Sequence, residues 1–199
     1  MDTKKSDLIT EQNNPELYRL LNKVPRMYWQ AAVPHPCNYL KGLYDLIEDN
    51  LTNQTVMVEI GSFAAVSSHL FAKKVKHINC VDMWAPYPEI EESYIVEGER
   101  LFDIFSRTVT NATKIKESST EAAKRFKDKS LDFVYVDAFH TYDACLEDIN
   151  TWLPKIKENG SIGGHDIHMT DVRRAVEEAL PGKVIKTYDD CSWFVDLND

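Results

Sequence analysis

Two short segments of the sequence place an aspartate close to a histidine, in a pattern that suits proton transfer at a bound metal ion. Asp137 and then His140 follow one apolar run, and His165 and Asp166 follow another. If these runs are neighbouring strands, about 4.8 Å apart, the two carboxylates can share one divalent ion. Such an ion lowers the pKa of a bound hydroxyl group, and a nearby histidine can accept the proton.

Each of these residues also has a plain structural interpretation. Aspartate often bonds to the backbone near it, and both histidines could be polar residues at the rim of a cleft. Four such groups at two strand ends indicate a functional site more strongly than any one of them alone. The candidates are Asp137, His140, His165 and Asp166, with His168 as a weaker one.

A second group of polar residues is expected at the same edge of the sheet, where open α/β sheets bind their ligands. Gly61 would let a ligand approach the backbone, Asp82 would accept the two hydroxyl protons of a ribose, and Ser118 and Ser119 would meet an adenine edge. At each position, a turn or a helix cap is the alternative. The candidate cofactor-binding residues are Glu59, Gly61, Ser62, Phe63, Asp82, Met83, Ser118, Ser119 and Asp137.

These candidates depend on alternating strands and helices, which the hydrophobic pattern predicts after Asn53. The predicted strands are Val56–Ile60, Ile78–Val81, Lys114–Glu117, Leu131–Val136, Ser161–Gly164, Lys183–Tyr188 and Ser192–Leu197. The predicted helices are Val66–Lys74, Tyr94–Thr108, Thr120–Phe126, Tyr142–Leu153 and Asp171–Leu180. Continuous apolar strands favour a parallel sheet that is covered on both faces. The Asp189-Asp190 turn is too short for a helical crossover, so the last strand is expected to be antiparallel.

The chain length predicts one structural domain with two parts. We expect residues 1–50 to be a helical amino-terminal segment, with helices at Pro15–Asn22 and Asn38–Asp49, and residues 51–199 to be the α/β part.

The composition excludes several classes of protein. With 32 acidic and 23 basic side chains the net charge is -9, which disfavours long nucleic acid as a partner and leaves small molecules as substrates. The four cysteines form no CxxC pair, so a zinc cluster or dithiol centre is not expected. Because no apolar run approaches the roughly 20 residues of a membrane helix, we expect a cytoplasmic protein with no membrane partner. A homo-oligomer is left open.

Three motifs resemble the Rossmann-like class I S-adenosylmethionine-dependent methyltransferases, and in particular the small branch with macrocin O-methyltransferase and cephalosporin hydroxylase. The likeness extends from about Leu51 to Asp196. It is strongest in Val58-Glu59-Ile60-Gly61-Ser62-Phe63, Val136-Asp137-Ala138-Phe139-His140-Thr141-Tyr142 and Gly163-Gly164-His165-Asp166. The resemblance implies a mostly parallel seven-stranded sheet with an antiparallel terminal strand and helices on both faces.

The resemblance also implies roles for the candidate residues. S-adenosylmethionine would be the cofactor, Asp137 a metal ligand, His140 the base, and His165 and Asp166 further ligands. A histidine ligand shifts the preference from magnesium towards manganese, iron or zinc. The chain departs from the family where a second glycine is usual in the first loop, because it has Ala64-Ala65-Val66. If Ala65 needs a positive φ, its methyl group is strained there.

The leading hypothesis is therefore an O-methyltransferase for a small hydroxylated molecule, such as a sugar or natural-product intermediate, with assistance from a divalent metal. Two alternatives stay open: a hydroxylase-like relative on the same fold, and a non-catalytic binding protein built on the methyltransferase scaffold.

Overall fold

The computed structural model describes residues 40–86 and 92–199, in which helices and strands alternate. The helices are α1 (Lys41–Asn50), α2 (Val66–Lys74), α3 (Glu92–Ser106), α4 (Ser119–Ala123), α5 (Tyr142–Trp152) and α6 (Thr170–Ala179), with a 3₁₀ turn at Leu153–Lys155. The strands are β1 (Val56–Ile60), β2 (His77–Asp82), β3 (Ala112–Lys116), β4 (Leu131–Val136), β5 (Ile156–Gly164), β6 (Lys186–Thr187) and β7 (Trp193–Asp196). The predicted helix Pro15–Asn22 lies outside the described residues.

The strands form one seven-stranded sheet in the order β3-β2-β1-β4-β5-β7-β6. Strands β1 to β5 pair in parallel, and β7 is antiparallel to both of its neighbours. The α/β fold predicted from the sequence, with its antiparallel terminal strand, is confirmed. The order also places the carboxyl ends of β3, β2, β1, β4 and β5 side by side along one edge, where the candidate residues lie.

Alternating side chains of the strands build two apolar layers, one on each face of the sheet. Phe133 and Tyr135 of β4 pack with α1, α2 and α3 on one face, whereas Val134 and Val136 pack with α4, α5 and α6 on the other. Such burial on both faces explains why the strands are apolar throughout. Within the described residues, no helix is both long and apolar enough to cross a membrane.

The strand boundaries differ from the predicted ones mainly at β5 and β6. Strand β5 begins at Ile156 rather than Ser161, because Ile156 pairs with Leu131 before a register shift restores pairing at Phe133. Strand β6 shortens to Lys186–Thr187, both exposed at the edge of the sheet, where only β7 offers a pairing partner. Neither change moves the ends of β4 and β5.

Candidate active site

The loop between β1 and α2 has an unusual backbone, with positive φ at Gly61 (90°), Phe63 (37°) and Ala65 (63°). A Cβ atom at Gly61 would lie 1.9 Å from the carbonyl oxygen of Asp137. Close packing against the end of β4 therefore requires glycine at position 61. Gly61 also borders the cleft, and the predicted approach of a ligand to its backbone remains a prediction. Ala65 does adopt the left-handed conformation that the sequence analysis considered.

Glu59 supports this loop from beneath. Its side chain is fully buried, and it accepts hydrogen bonds from the hydroxyl groups of Ser62 (2.9 Å), Ser67 (2.5 Å) and Ser68. Burial raises the pKa of Glu59 to about 7, although these three hydrogen bonds oppose the shift. Glu59 was a candidate for cofactor binding, but it is not among the residues that line the cleft, because its carboxylate points into the loop.

Asp82 at the end of β2 connects the loop after β1 with the loop after β2 through hydrogen bonds. Its carboxylate accepts hydrogen bonds from the backbone N–H groups of Phe63 (2.9 Å) and Trp84 (2.7 Å). The indole N–H of Trp84 in turn donates to the carbonyl oxygen of Phe63 at 2.8 Å. Burial raises the pKa of Asp82, and the two backbone hydrogen bonds oppose this. The carboxylate still borders the cleft, so the predicted contact with a ribose remains a prediction.

A cleft of about 520 Å³ runs along the carboxyl ends of the strands. This volume suits a ligand the size of a nucleoside with a short chain attached. Most of the predicted site residues line it, namely Gly61, Ser62, Phe63, Asp82, Met83, Ser118, Ser119, Asp137, His140 and Asp166. The structure thus brings the two predicted groups of residues into one cavity.

The candidate catalytic and metal-binding residues lie at the β4–β5 end of this cleft. Nε2 of His140 lies 2.9 Å from Oδ2 of Asp166 and 3.9 Å from Oδ1 of Asp137. One ligand atom from each of these three residues lies within 4.8 Å of the others. Asp166 adopts a left-handed conformation with φ 58°, at the point where the chain turns away from β5.

The charges in this group depend on one another. Asp137 and Asp166 raise the pKa of His140 to about 10, and the shorter contact is the one to Asp166. Burial would raise the pKa of Asp166, but His140 and His165 outweigh it and lower that pKa below its ordinary value. A protonated His140 beside the ionised carboxylate of Asp166 is the arrangement expected at neutral pH in the absence of a bound cation.

His165 occupies a different position from the one predicted. Its side chain is only 5% exposed and lies outside the cleft, and its Nδ1 atom is 3.2 Å from Oδ2 of Asp166. Burial lowers the pKa of His165, but the charges of Asp166, Asp137 and Asp190 prevail and raise it to about 9. His165 is not part of the three-residue group and instead contacts Asp166 from the α1 side of the sheet. The third member of that group, beside Asp137 and Asp166, is His140.

The two serines after β3 have defined structural contacts. The Ser118 hydroxyl caps α4 by accepting a hydrogen bond from the backbone N–H of Glu121 at 3.4 Å. A helix cap was the structural alternative given for this residue. The Ser119 hydroxyl accepts a hydrogen bond from the indole N–H of Trp152 at 2.8 Å. Both residues nevertheless border the cleft.

One acidic residue of the cleft was missed by the sequence analysis. Asp148 is 7% exposed and lines the cleft from α5. It lies on the same helical face as the buried residues Cys145, Ile149 and Trp152. A carboxylate within an apolar helical stripe is the signal that could have identified it.

Comparisons with known proteins identify the family to which this chain belongs. A family model described as a methyltransferase domain matches residues 58–167, more than half of the chain. This segment runs from β1 through the turn after Asp166 and includes Asp137, His140 and Asp166. A search of curated proteins finds no match.

Solved structures share the fold at low sequence identity. A protein from Corynebacterium glutamicum is 11% identical, with a TM-score of 0.63 over 96% of this chain and 92% of that one. A methyltransferase from Geobacter sulfurreducens is also 11% identical, with a TM-score of 0.62 over 96% and 91% of the two chains. A Streptococcus mutans protein described as a methyltransferase, solved with S-adenosylhomocysteine, is 9% identical with a TM-score of 0.56 over 82% and 97%. By the match to its family model, this chain belongs to the S-adenosylmethionine-dependent methyltransferases.

Proposed function

We propose that this protein transfers a methyl group from S-adenosylmethionine to a hydroxyl group of a small molecule, such as a sugar or a natural-product intermediate. The observation that carries the proposal is the group Asp137, His140 and Asp166 at one end of the cleft formed by the Gly61 loop. A cofactor along the loop would present its methyl group near these side chains. The specific resemblance to macrocin O-methyltransferase belongs to this proposal.

The transfer needs a deprotonated acceptor in line with the methyl group. A hydroxyl group near His140 can lose its proton to Nε2, and its oxygen then attacks the methyl carbon as the carbon–sulfur bond breaks. S-adenosylhomocysteine and the methyl ether are the products. Because a protonated imidazole cannot accept a proton, this step requires the neutral form of His140.

The residues of this group also fit a divalent cation. Metal bonds to carboxylate oxygen and imidazole nitrogen are about 2.0–2.2 Å long, so ligands on opposite sides of one ion lie about 4.2 Å apart. The ligand atoms of Asp137 and Asp166 belong to a group whose atoms lie within 4.8 Å of one another, which is close to the spacing that one ion needs. We assign Asp137 and Asp166 as ligands and His140 as the base, because one imidazole nitrogen cannot do both. His165, buried behind Asp166, is assigned to positioning that carboxylate rather than to metal binding.

A bound ion would lower the pKa of the acceptor hydroxyl and would also favour the neutral form of His140 through its charge. Two carboxylates with additional water suit magnesium or manganese. The role of the protein is to hold the carboxylates together, which the contacts of Asp166 with His140 and His165 achieve.

The test is release of S-adenosylhomocysteine with a panel of small hydroxylated acceptors. The protein would be treated with EDTA and assayed with no metal, with magnesium and with manganese. We expect turnover with at least one acceptor, stimulation by a divalent ion, and loss of turnover in Asp137→Asn. The matched control is Asp143→Asn, which removes an exposed carboxylate of α5 outside the cleft and should retain activity. Oxidised products without release of S-adenosylhomocysteine would contradict the proposal, as would equal activity in both variants.

Two further expectations belong to this proposal, and the oligomeric state is left open. The net charge of -9 supports small molecules over long nucleic acid as substrates. We also place the protein in the cytoplasm, where S-adenosylmethionine is made and free cysteines stay reduced. Light scattering after size exclusion would decide whether it forms a homo-oligomer.

A further inference from the structure

Two large apolar side chains are exposed beside the proposed catalytic residues. Phe139 is 40% exposed and Met169 is 38% exposed, and both line the cleft. Phe139 directly precedes His140 in the loop after β4, and the backbone N–H of Met169 donates to the carbonyl oxygen of Asp166 at 2.9 Å. One exposed apolar side chain is therefore fixed next to each partner of the contact between His140 and Asp166.

This exposure is concentrated in the cleft. Within the described residues six large apolar side chains are exposed, and three of them line the cleft, namely Met83, Phe139 and Met169. Apolar side chains scattered singly over a surface are common, but several of them in one concave cavity indicate contact with an apolar ligand. A ligand that covers Phe139 and Met169 gains free energy by removing their surface from water.

The polar side chains of the same two loops already have proposed roles. The cleft-lining residues between β4 and α5 and between β5 and α6 are Asp137, Ala138, Phe139, His140, Asp166 and Met169. Two are proposed as metal ligands and one as the base, and the other three are apolar. A sugar carries additional hydroxyl groups, which need hydrogen-bond partners when they are buried. These two loops offer such groups no further polar side chain in the cleft, whereas the apolar faces of an aromatic ring need none.

We propose that the acceptor is an aromatic alcohol, a phenol or a catechol, whose planar ring packs against Phe139 and Met169 while its hydroxyl group faces His140. This inference rests on the proposed methyl transfer and narrows its acceptors to one class. Offset or edge-to-face contact suits the ring of Phe139, and a thioether such as that of Met169 contacts aromatic rings favourably. The hydroxyl proton passes to Nε2 of His140, and the oxygen–methyl bond forms as the carbon–sulfur bond breaks.

The experiment is titration calorimetry on protein saturated with S-adenosylhomocysteine and magnesium. The two probes are catechol and cis-1,2-cyclohexanediol, which carry two adjacent hydroxyl groups on six-membered rings, but only catechol is flat and aromatic. We expect the unaltered protein to bind catechol about tenfold or more tightly than the diol. Part of this preference reflects the greater acidity of catechol, which no substitution in the protein changes. The variants therefore isolate the part that comes from packing.

Phe139→Ala should weaken catechol binding by about fivefold or more and change diol binding by less than about twofold, because the flat ring loses its contact surface. Met169→Ala should weaken catechol binding by about threefold. Phe139→Tyr keeps the ring and should retain the preference. The control is Val184→Ala, which removes an apolar side chain that is 71% exposed outside the cleft and should change neither affinity. Thermal unfolding would verify that every variant is folded.

Equal effects of Phe139→Ala on both probes, or no effect on either, would overturn the assignment of Phe139 as a contact of the acceptor ring. The turnover assay separates this inference from the proposed function. Release of S-adenosylhomocysteine with a methyl glycoside but not with catechol would overturn the aromatic acceptor and leave methyl transfer intact. Release with neither class of acceptor would overturn the proposed methyl transfer itself.

Discussion

Gly61 and Asp137 pack so closely that a Cβ atom on the glycine would lie 1.9 Å from the aspartate's carbonyl oxygen. This contact joins the loop after β1, which we propose to bind the cofactor, to Asp137 after β4, which we propose as a metal ligand. The two parts of the proposed site therefore have a fixed spacing, and a change at Gly61 must disturb both.

Gly61→Ala is expected to lower the free energy of unfolding by about 3 kcal/mol or more, since a positive φ and overpacking both contribute. Chemical denaturation would measure it. The control is Gly182→Ala, where φ is also positive, at 77°, but no atom lies within 4 Å of the added Cβ. That variant should lose only about 1 to 2 kcal/mol. Equal losses at the two positions would show that the contact with Asp137 is unimportant.

Ala65→Gly tests the departure of this chain from the usual glycine in the loop. Ala65 has φ 63° and ψ 27°, so glycine relieves a strain of roughly 1 kcal/mol and offsets its greater flexibility in the unfolded chain. We expect stability to be unchanged or to rise by up to about 1 kcal/mol. Ala175→Gly, in the buried face of α6, is the comparison and should cost about 1 kcal/mol. A similar loss in both variants would contradict the strain at Ala65.

Asp166→Asn should separate the electrostatic role of this carboxylate from its role in folding. We expect the pKa of His140 to fall from about 10 towards its ordinary value, because one of the two carboxylates that raise it is lost. Histidine proton resonances followed over a pH range would report this. Methyl transfer should fall by about 100-fold or more, while thermal unfolding changes little. Asp171→Asn removes an exposed carboxylate at the start of α6 and should change neither quantity. An unshifted His140 in Asp166→Asn would contradict the observed geometry.

Glu59 gives the stability a pH dependence of known sign. Its pKa is about 7 in the folded protein and about 4.5 in the unfolded chain, so the unfolded state releases this proton more readily. The stabilisation that the protonated Glu59 side chain gives to the folded state is complete below pH 4.5 and is lost as the pH rises through 7. Glu59→Gln should therefore flatten the fall in unfolding free energy between pH 5 and 8, measured by urea denaturation. The exposed substitution Glu177→Gln should retain the full slope, and a Glu59→Gln curve parallel to the original would disprove the assignment.

Much of the fold could be predicted because the apolar pattern follows the sheet directly. Strand β4 agrees with its predicted bounds because every second residue is buried against each helical layer. The predicted length of strand β5 was too short. Its apolar pattern is interrupted by Lys157, Glu158 and Asn159, although the backbone continues in the strand. A polar stretch of this kind carries no periodic signal.

The sequence predicted which strand ends carry the candidate site. It did not predict the directions in which the side chains point. His165 and Asp166 are adjacent in sequence, yet the left-handed backbone at Asp166 directs its carboxylate towards His140 while His165 stays buried. The role of Glu59 was missed for a similar reason, because three serines from the following turn and helix approach it only in the folded chain. Residue types alone cannot distinguish a ligand-binding acid from one that supports a loop.

The most direct test of the account is a crystal structure of the protein with S-adenosylhomocysteine. We expect the sulfur atom to lie at the β4–β5 end of the cleft, facing His140 between Asp137 and Asp166, with the ribose at Asp82. A ligand bound elsewhere, or one whose sulfur points away from these three residues, would contradict the central claim that one cleft joins cofactor and proton acceptor.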